Sequence, residues 1–245
     1  MRRSHRVVAA ASALVFVAAG AALAQSRGLE FPDMSGQRLA TGVRIALLLS
    51  ALSLVPSLLV MMTSFTRIVI VFSFLRQAMS TPNMPPNQVL LSLALFLTLF
   101  IMRPVWTEIN DRAILPLSRG EITEVQALET GYEPLRTFML GQTREKDLML
   151  FAQSSGTPKP ESPRDLPFSV VLPSFMLSEL RTAFQIGFVL YVPFIVVDLV
   201  VASVLMSMGM MMLPPTMISL PLKILLFILV DGWHLIVRSL IASFR

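Results

Sequence analysis

Six of the ionisable side chains inside or at the edge of long apolar stretches stand out: Glu179, Arg181, Asp198, Lys223, Asp231 and His234. A charge in such a setting is expensive, so each is a candidate for function or for pairing. Asp198 lies near the middle of one apolar run and Asp231 near the middle of the next. If these runs pair antiparallel about a turn near residue 214, the two acids fall at similar depth. Two unpaired carboxylates there would raise each other's pKa, leaving one protonated or drawing in a cation. Lys223 is eight residues from Asp231, roughly 12 Å along a helix and too far to pair within it. A partner in a neighbouring subunit is therefore expected for Lys223, with Glu179 a further candidate. Asp231 and His234 are three apart and share a helix face. That spacing admits a proton relay, a structural hydrogen bond or a contact to a partner. For Glu179, Arg181, Asp198 and Lys223 the expectation is pairing between subunits, against local satisfaction by backbone and solvent.

Other chemistry lacks its ingredients. There is no cysteine, which excludes disulfides, zinc–cysteine sites, iron–sulfur clusters and thiol catalysis. His5 and His234 are isolated, and no Walker A loop, Rossmann glycine pattern or H-E-x-x-H stands anywhere in the chain. The reading is of a protein that is not an enzyme, with no cofactor and no metal.

The elements that must position these charges are strongly apolar. Of 245 residues, 54% are hydrophobic and 14% charged, against roughly 25% charged in an ordinary soluble domain. Mean hydropathy is +0.71. The bilayer is the solvent that suits this balance. Arg2, Arg3 and Arg6, an apolar run over 7–20 and Ala22-Leu23-Ala24 read as a cleavable signal peptide over 1–24. The formal charge of +5 includes those three arginines and falls to +2 without them. Nor does any basic run carry interleaved aromatics, so nucleic acid is not an expected partner.

Residues 25–42 read as a short extracytoplasmic lead, and 43–106 as a first hydrophobic hairpin. Its first segment covers about 43–62, and an apolar run over 68–75 follows. Three prolines and two asparagines over 80–87 break the chain before a segment over about 88–106. Arg67 and Arg76, with no acid beside them, place that linker in the cytoplasm. Residues 107–181 form a polar, mostly helical extracytoplasmic region, with helical pieces expected over 121–130 and 134–152. Residues 182–245 form a second hydrophobic hairpin, with segments over about 182–208 and 222–242. The expected fold is therefore an all-α membrane protein of helical hairpins with four long hydrophobic segments, assembling into a ring-like or helical oligomeric pore.

The turn of the second hairpin holds Met206, Met208, Met210, Met211, Met212 and Met217, six methionines in twelve residues without a charge. Consecutive residues on a helix point about 100° apart, so Met210, Met211 and Met212 cannot share a face there. Gly209 and Pro214 disfavour a continuous helix. A loop, in which the three side chains converge, is the expectation. Methionine is flexible and apolar, and a ring of such loops makes a deformable seal. Core filling at a helix turn and a thioether copper site are the alternative readings.

Residues 197–215, VDLVVASVLMSMGMMMLPP, resemble the signature of the FliP family, an inner-membrane component of the flagellar type III export gate. The resemblance continues through Ile218-Ser219-Leu220-Pro221 and Leu229-Val230-Asp231-Gly232-Trp233. Upstream it includes Pro86-Asn87-Gln88-Val89-Leu90, residues 93–98, and Arg144-Glu145-Lys146-Asp147-Leu148 before Leu150-Phe151. It covers about 64 to the C-terminus. Arg103 stands where the family more often has a small residue, and the Met79-Ser80 approach to the proline loop lacks the usual glycine.

The resemblance implies a homo-oligomer that forms, with FliQ-like and FliR-like membrane subunits, a conduit for unfolded export substrates. It implies contacts with other export-apparatus proteins and with membrane lipid, in the bacterial inner membrane at the flagellar basal body. Met210, Met211 and Met212 are then the gasket that closes the pore, supported by Met208 and Gly209. A virulence type III system uses related subunits and is the nearest alternative. A proton-coupled secondary transporter using Asp198, Asp231 and His234 is the more distant one. Transporters of that class show internal repeats, and the two hairpins here share no pattern.

Overall fold

A computed structural model describes residues 57, 60–81, 84–155, 162, 165–210 and 213–244. The expected signal peptide and lead and nearly all of the expected 43–62 segment lie outside the described residues. So do Met211 and Met212.

The first long helix, α1, runs Phe65–Ala78. It follows a break at 62–64, where Thr63 donates its hydroxyl to the Val60 carbonyl. Ile68, Val71, Phe72 and Leu75 recur at helical spacing and are fully buried. The helix stops at Ser80, which adopts φ 56°. Ser80 N–H donates to Gln77 O and Thr81 N–H to Arg76 O, the bond pair of a Schellman cap. Serine thus occupies the left-handed position that glycine usually fills.

Asn87–Ile101 forms α2, and Arg103–Ile109 forms α3, with Pro104 in its first turn. A π-helical turn, Asn110–Ile114, and the short α4, Leu115–Ser118, continue the path. The chain bends by 58° between Asn87–Ile101 and Arg103–Ser118.

Glu124–Gln142 is α5, opened by a reciprocal capping box between Thr123 and Gln126. It passes through Pro134 without ending and stops before α6, Glu145–Ser154. The expected pieces over 121–130 and 134–152 are therefore divided at a different place. Pro134 is buried within the helix and did not set the break, since tertiary context overrides local propensity there.

Phe168–Ser207 is a single helix, α7, of 40 residues. At about 1.5 Å per residue it is roughly 60 Å long, twice a hydrocarbon core of about 30 Å. It is long and apolar enough to cross a membrane. The boundary expected at 181/182 falls inside this unbroken helix. Its first half carries a buried face of Val170, Val171, Ser174, Phe175, Ser178 and Glu179 against α5 and α6. That face belongs to one core cluster, with Met102, Leu135, Met139 and Leu166. Its middle packs most extensively on α1, where a second cluster joins α1, α2 and α7 to Phe227, Ile236 and Leu240.

Pro215–Leu229 is α8 and Gly232–Ala242 is α9, bent by 64° from each other. Asp231 makes the break with φ 50°. A Cβ on Gly232 would lie 2.2 Å from the Phe227 ring, so any side chain there requires that ring to turn away. The fourth segment expected over 222–242 is thus two helices. By length and composition the described residues hold one membrane-crossing helix, or up to three if each bent pair is one span. Among the described residues there is no strand.

Candidate functional site

Lys223 is 1% exposed in the middle of α8, and it is fully satisfied. Its ammonium donates to Asp198 Oδ2 at 2.6 Å, Ser80 Oγ at 2.8 Å and Ala78 O at 3.1 Å. Asp198 also accepts from the Ser219 hydroxyl at 2.6 Å. One buried lysine therefore ties α8 to α7 and to the cap of α1. The neighbouring-subunit partner expected for Lys223 gives way to Asp198 of the same chain. Glu179 is not its partner. Asp198 faces the first half of α8 because the turn after α7 is short, whereas Asp231 lies beyond, at a bend.

Glu179 is 0% exposed and pairs with Arg67, 2% exposed. Arg67 Nε donates to Glu179 Oε2 at 2.8 Å, and Nη2 donates to Oε1 of the same carboxylate. Such a two-point fork holds both planes in register. Nη1 reaches Ser243 O at 2.8 Å and Ser243 Oγ at 2.9 Å, and Nη2 reaches Gln142 Oε1 at 3.1 Å. The Phe244 ring lies 3.7 Å from Cζ, a cation–π contact. Arg67 thus joins α1, the end of α5, α7 and the residues after α9. Sequence reasoning used Arg67 only as a cytoplasmic marker. A lone arginine opening the apolar run over 68–75 was the available signal for burial. With Arg67 inside the fold, Arg76 alone carries that topological argument.

The methionine turn begins where α7 ends. Gly209 has φ 74°. Gly209 N–H donates to Met206 O and Met210 N–H to Leu205 O, a complete Schellman cap. Met208 is 65% exposed, Met206 and Met217 are also exposed, and Met210 is partly buried. Leu213 and Pro214 lead directly into α8, with Pro215 at its start.

Arg181, Asp231 and His234 are exposed, and none forms an ion pair among the described residues. Asp231 and His234 make no hydrogen bond with each other. A second buried acid, Asp147, escaped sequence reasoning. It accepts from the Ser178 hydroxyl at 2.6 Å, and Ser178 in turn accepts from Arg144 N–H at 3.0 Å.

The family model described as "FliP family" matches residues 48–240. The chain belongs to the FliP family. It is 54% identical over 214 residues to the "Flagellar biosynthetic protein FliP" of Bacillus subtilis (strain 168), covering 87% of this chain and 97% of that protein. It is 47% identical over 234 residues to the protein of the same name from Aquifex aeolicus (strain VF5), covering 95% and 98%. A third relative of that name, from Pectobacterium carotovorum subsp. carotovorum, is 54% identical over 209 residues, 85% of this chain and 81% of its own. Within this FliP-family chain, the matched residues 48–240 include the Arg67–Glu179 and Lys223–Asp198 pairs and the methionine turn. Flagellar biosynthesis is therefore the process it serves.

Proposed function

We propose that this chain is a pore-forming core subunit of the flagellar type III export gate. It assembles as a homo-oligomer with FliQ-like and FliR-like subunits around a path for unfolded export substrates. The assembly sits in the inner membrane at the flagellar basal body, and the turns at Met210, Met211 and Met212 close the path.

One observation carries this reading. Charges are neutralised inside the protomer while long apolar faces point outward. Arg67, Glu179 and Lys223 are buried, whereas Phe96 and Phe100 on α2, Leu199 on α7 and Ile228 on α8 are exposed. Apolar faces of that extent suit burial against lipid or further apolar subunits. A helix twice as long as the hydrocarbon core is thick also suits an assembly that rises partly out of the membrane plane. The transporter reading is disfavoured: Asp198 is held by Lys223 and Ser219, and Asp231 makes no contact with His234.

The test uses the absence of native cysteine. Single cysteines at Met210, Met211 and Met212 should cross-link between protomers of the assembled complex. Deleting the three methionines should leave the oligomer intact but let small ions leak. A deletion variant that assembles in a membrane as tight as the wild type would remove the closing role. A complex without several copies of this chain would remove the pore.

A further inference from the structure

A cavity of about 450 Å³ opens between the end of α1 and the middle of α7, lined by Arg76, Gln77, Ser80, Thr81 and Tyr191. Arg76, Gln77, Ser80 and Thr81 make that lining mostly polar. Arg76 is partly buried, and its guanidinium makes only a long 3.5 Å contact to Asn87 Oδ1. Among the described residues no carboxylate lies within ion-pair distance of it. The Tyr191 hydroxyl has no protein partner among those residues either. Ser80 accepts from Lys223 through its oxygen, so its own O–H remains available to donate. An arginine fork and two hydroxyl donors therefore share one cavity, with no acid to neutralise them. That donor set fits a phosphate.

The surroundings say what kind of phosphate. One turn to either side of Tyr191 on α7 stand Phe188, 66% exposed, and Ile195, also exposed. A ligand whose headgroup meets Arg76 lies beside apolar helix surface. Tyrosine with an apolar ring and a polar tip is the residue that favours such a boundary.

We infer that this cavity binds the phosphate of an anionic phospholipid, with its acyl chains along the exposed face of α7. Basic pockets between helices of a membrane protein take headgroups of this charge. The site does not depend on the methionine turn, so its failure and that of the gasket are separate.

The purified oligomer in mixed micelles of phosphatidylcholine and phosphatidylglycerol provides the test, with retained lipid counted by native mass spectrometry. The wild type should retain phosphatidylglycerol preferentially. Arg76→Gln should weaken that retention about tenfold, the loss expected for a charge-assisted hydrogen bond. Arg76→Lys should keep part of it, and Tyr191→Phe should lose less than Arg76→Gln. Arg238→Gln, at an exposed position on α9, should change nothing. If Arg76→Gln unfolds, Arg76→Lys and Tyr191→Phe still decide the matter by their intermediate losses. Inorganic phosphate should displace the lipid poorly, because it lacks the chains. Full displacement by inorganic phosphate would assign the cavity to a free anion and overturn the lipid. Equal retention of both lipids would overturn it as well. So would Arg76→Gln shedding a partner subunit with its lipid preference intact, since a partner's carboxylate would then be the occupant.

Discussion

Lys223 Nζ lies 2.6 Å from Asp198 Oδ2, across the methionine turn. The pair holds α8 against α7 at the base of that turn, so the turn's position is set by an ion pair as well as by packing. The two partners differ in what they lose if separated. Lys223 is 1% exposed, whereas the Asp198 side chain is 33% exposed. Water can solvate a stranded Asp198 but not a stranded Lys223. Asp198→Ala, which leaves the buried Lys223 unpaired at a cost of about 3 kcal/mol, should therefore destabilise more than Lys223→Ala. The double variant Asp198→Ala with Lys223→Ala should lose clearly less than the sum of the two single losses. Thermal unfolding in detergent measures all three, and simple additivity of the single losses would show that the two side chains are not coupled.

Arg67→Lys should behave as a damaging change. Lysine carries three donors on a point charge and cannot reproduce the fork to Glu179 together with the bonds to Ser243 and Gln142. A loss of about 2 kcal/mol is expected from the hydrogen bonds to charged groups that go. Because Arg67 also holds Ser243 and Phe244, carboxypeptidase should trim the variant from its C-terminus faster than the wild type. Unchanged trimming would show that this tail is held by its apolar contacts alone.

Much of this architecture was legible from hydropathy and punctuation. The proline cluster over 80–87, the end of α2 near Arg103 and the stop of α7 at Gly209 follow from Pro, Gly and apolar runs. The continuity of α7 was not legible. Glu179 and Arg181 look like a boundary in sequence, yet Glu179 is neutralised by Arg67, 112 residues away. A charge paired over such a distance leaves no local trace. The break at Asp231 was hidden for a related reason. Aspartate takes the left-handed conformation less readily than glycine, and the close approach of Phe227 to Gly232 is a tertiary fact. Ser80 is the converse case. A missing glycine was visible, and the structure supplies the reason for tolerating serine: its hydroxyl oxygen receives Lys223.

Gly187 should resist any side chain. A Cβ built there would lie 2.6 Å from Phe74 Cγ and 2.9 Å from its Cβ. Those atoms are the root of the ring, so rotating Phe74 does not clear them. Gly187→Ala must push α1 away from α7, the most extensive helix contact in the fold. Overpacking of this kind costs about 1–3 kcal/mol. The companion change Phe74→Ala should restore part of it. A Gly187→Ala protein as stable as the wild type would mean that α1 and α7 sit farther apart than described.

Gly209 offers the opposite test, because no atom lies within 4 Å of a Cβ built on it. Substitution there probes the backbone alone. At φ 74° an alanine pays for the left-handed conformation by about 1 kcal/mol, and asparagine by less. The consequence extends past stability. Without the cap, α7 gains by running on through Met210, which would spread the following side chains about 100° apart instead of letting them converge. Gly209→Ala should therefore reduce inter-protomer cross-linking from a cysteine at Met210, while Gly209→Asn should preserve it. Equal cross-linking in the two variants would show that the assembled turn does not use the left-handed cap. The methionines would then be positioned by their neighbours rather than by the end of α7.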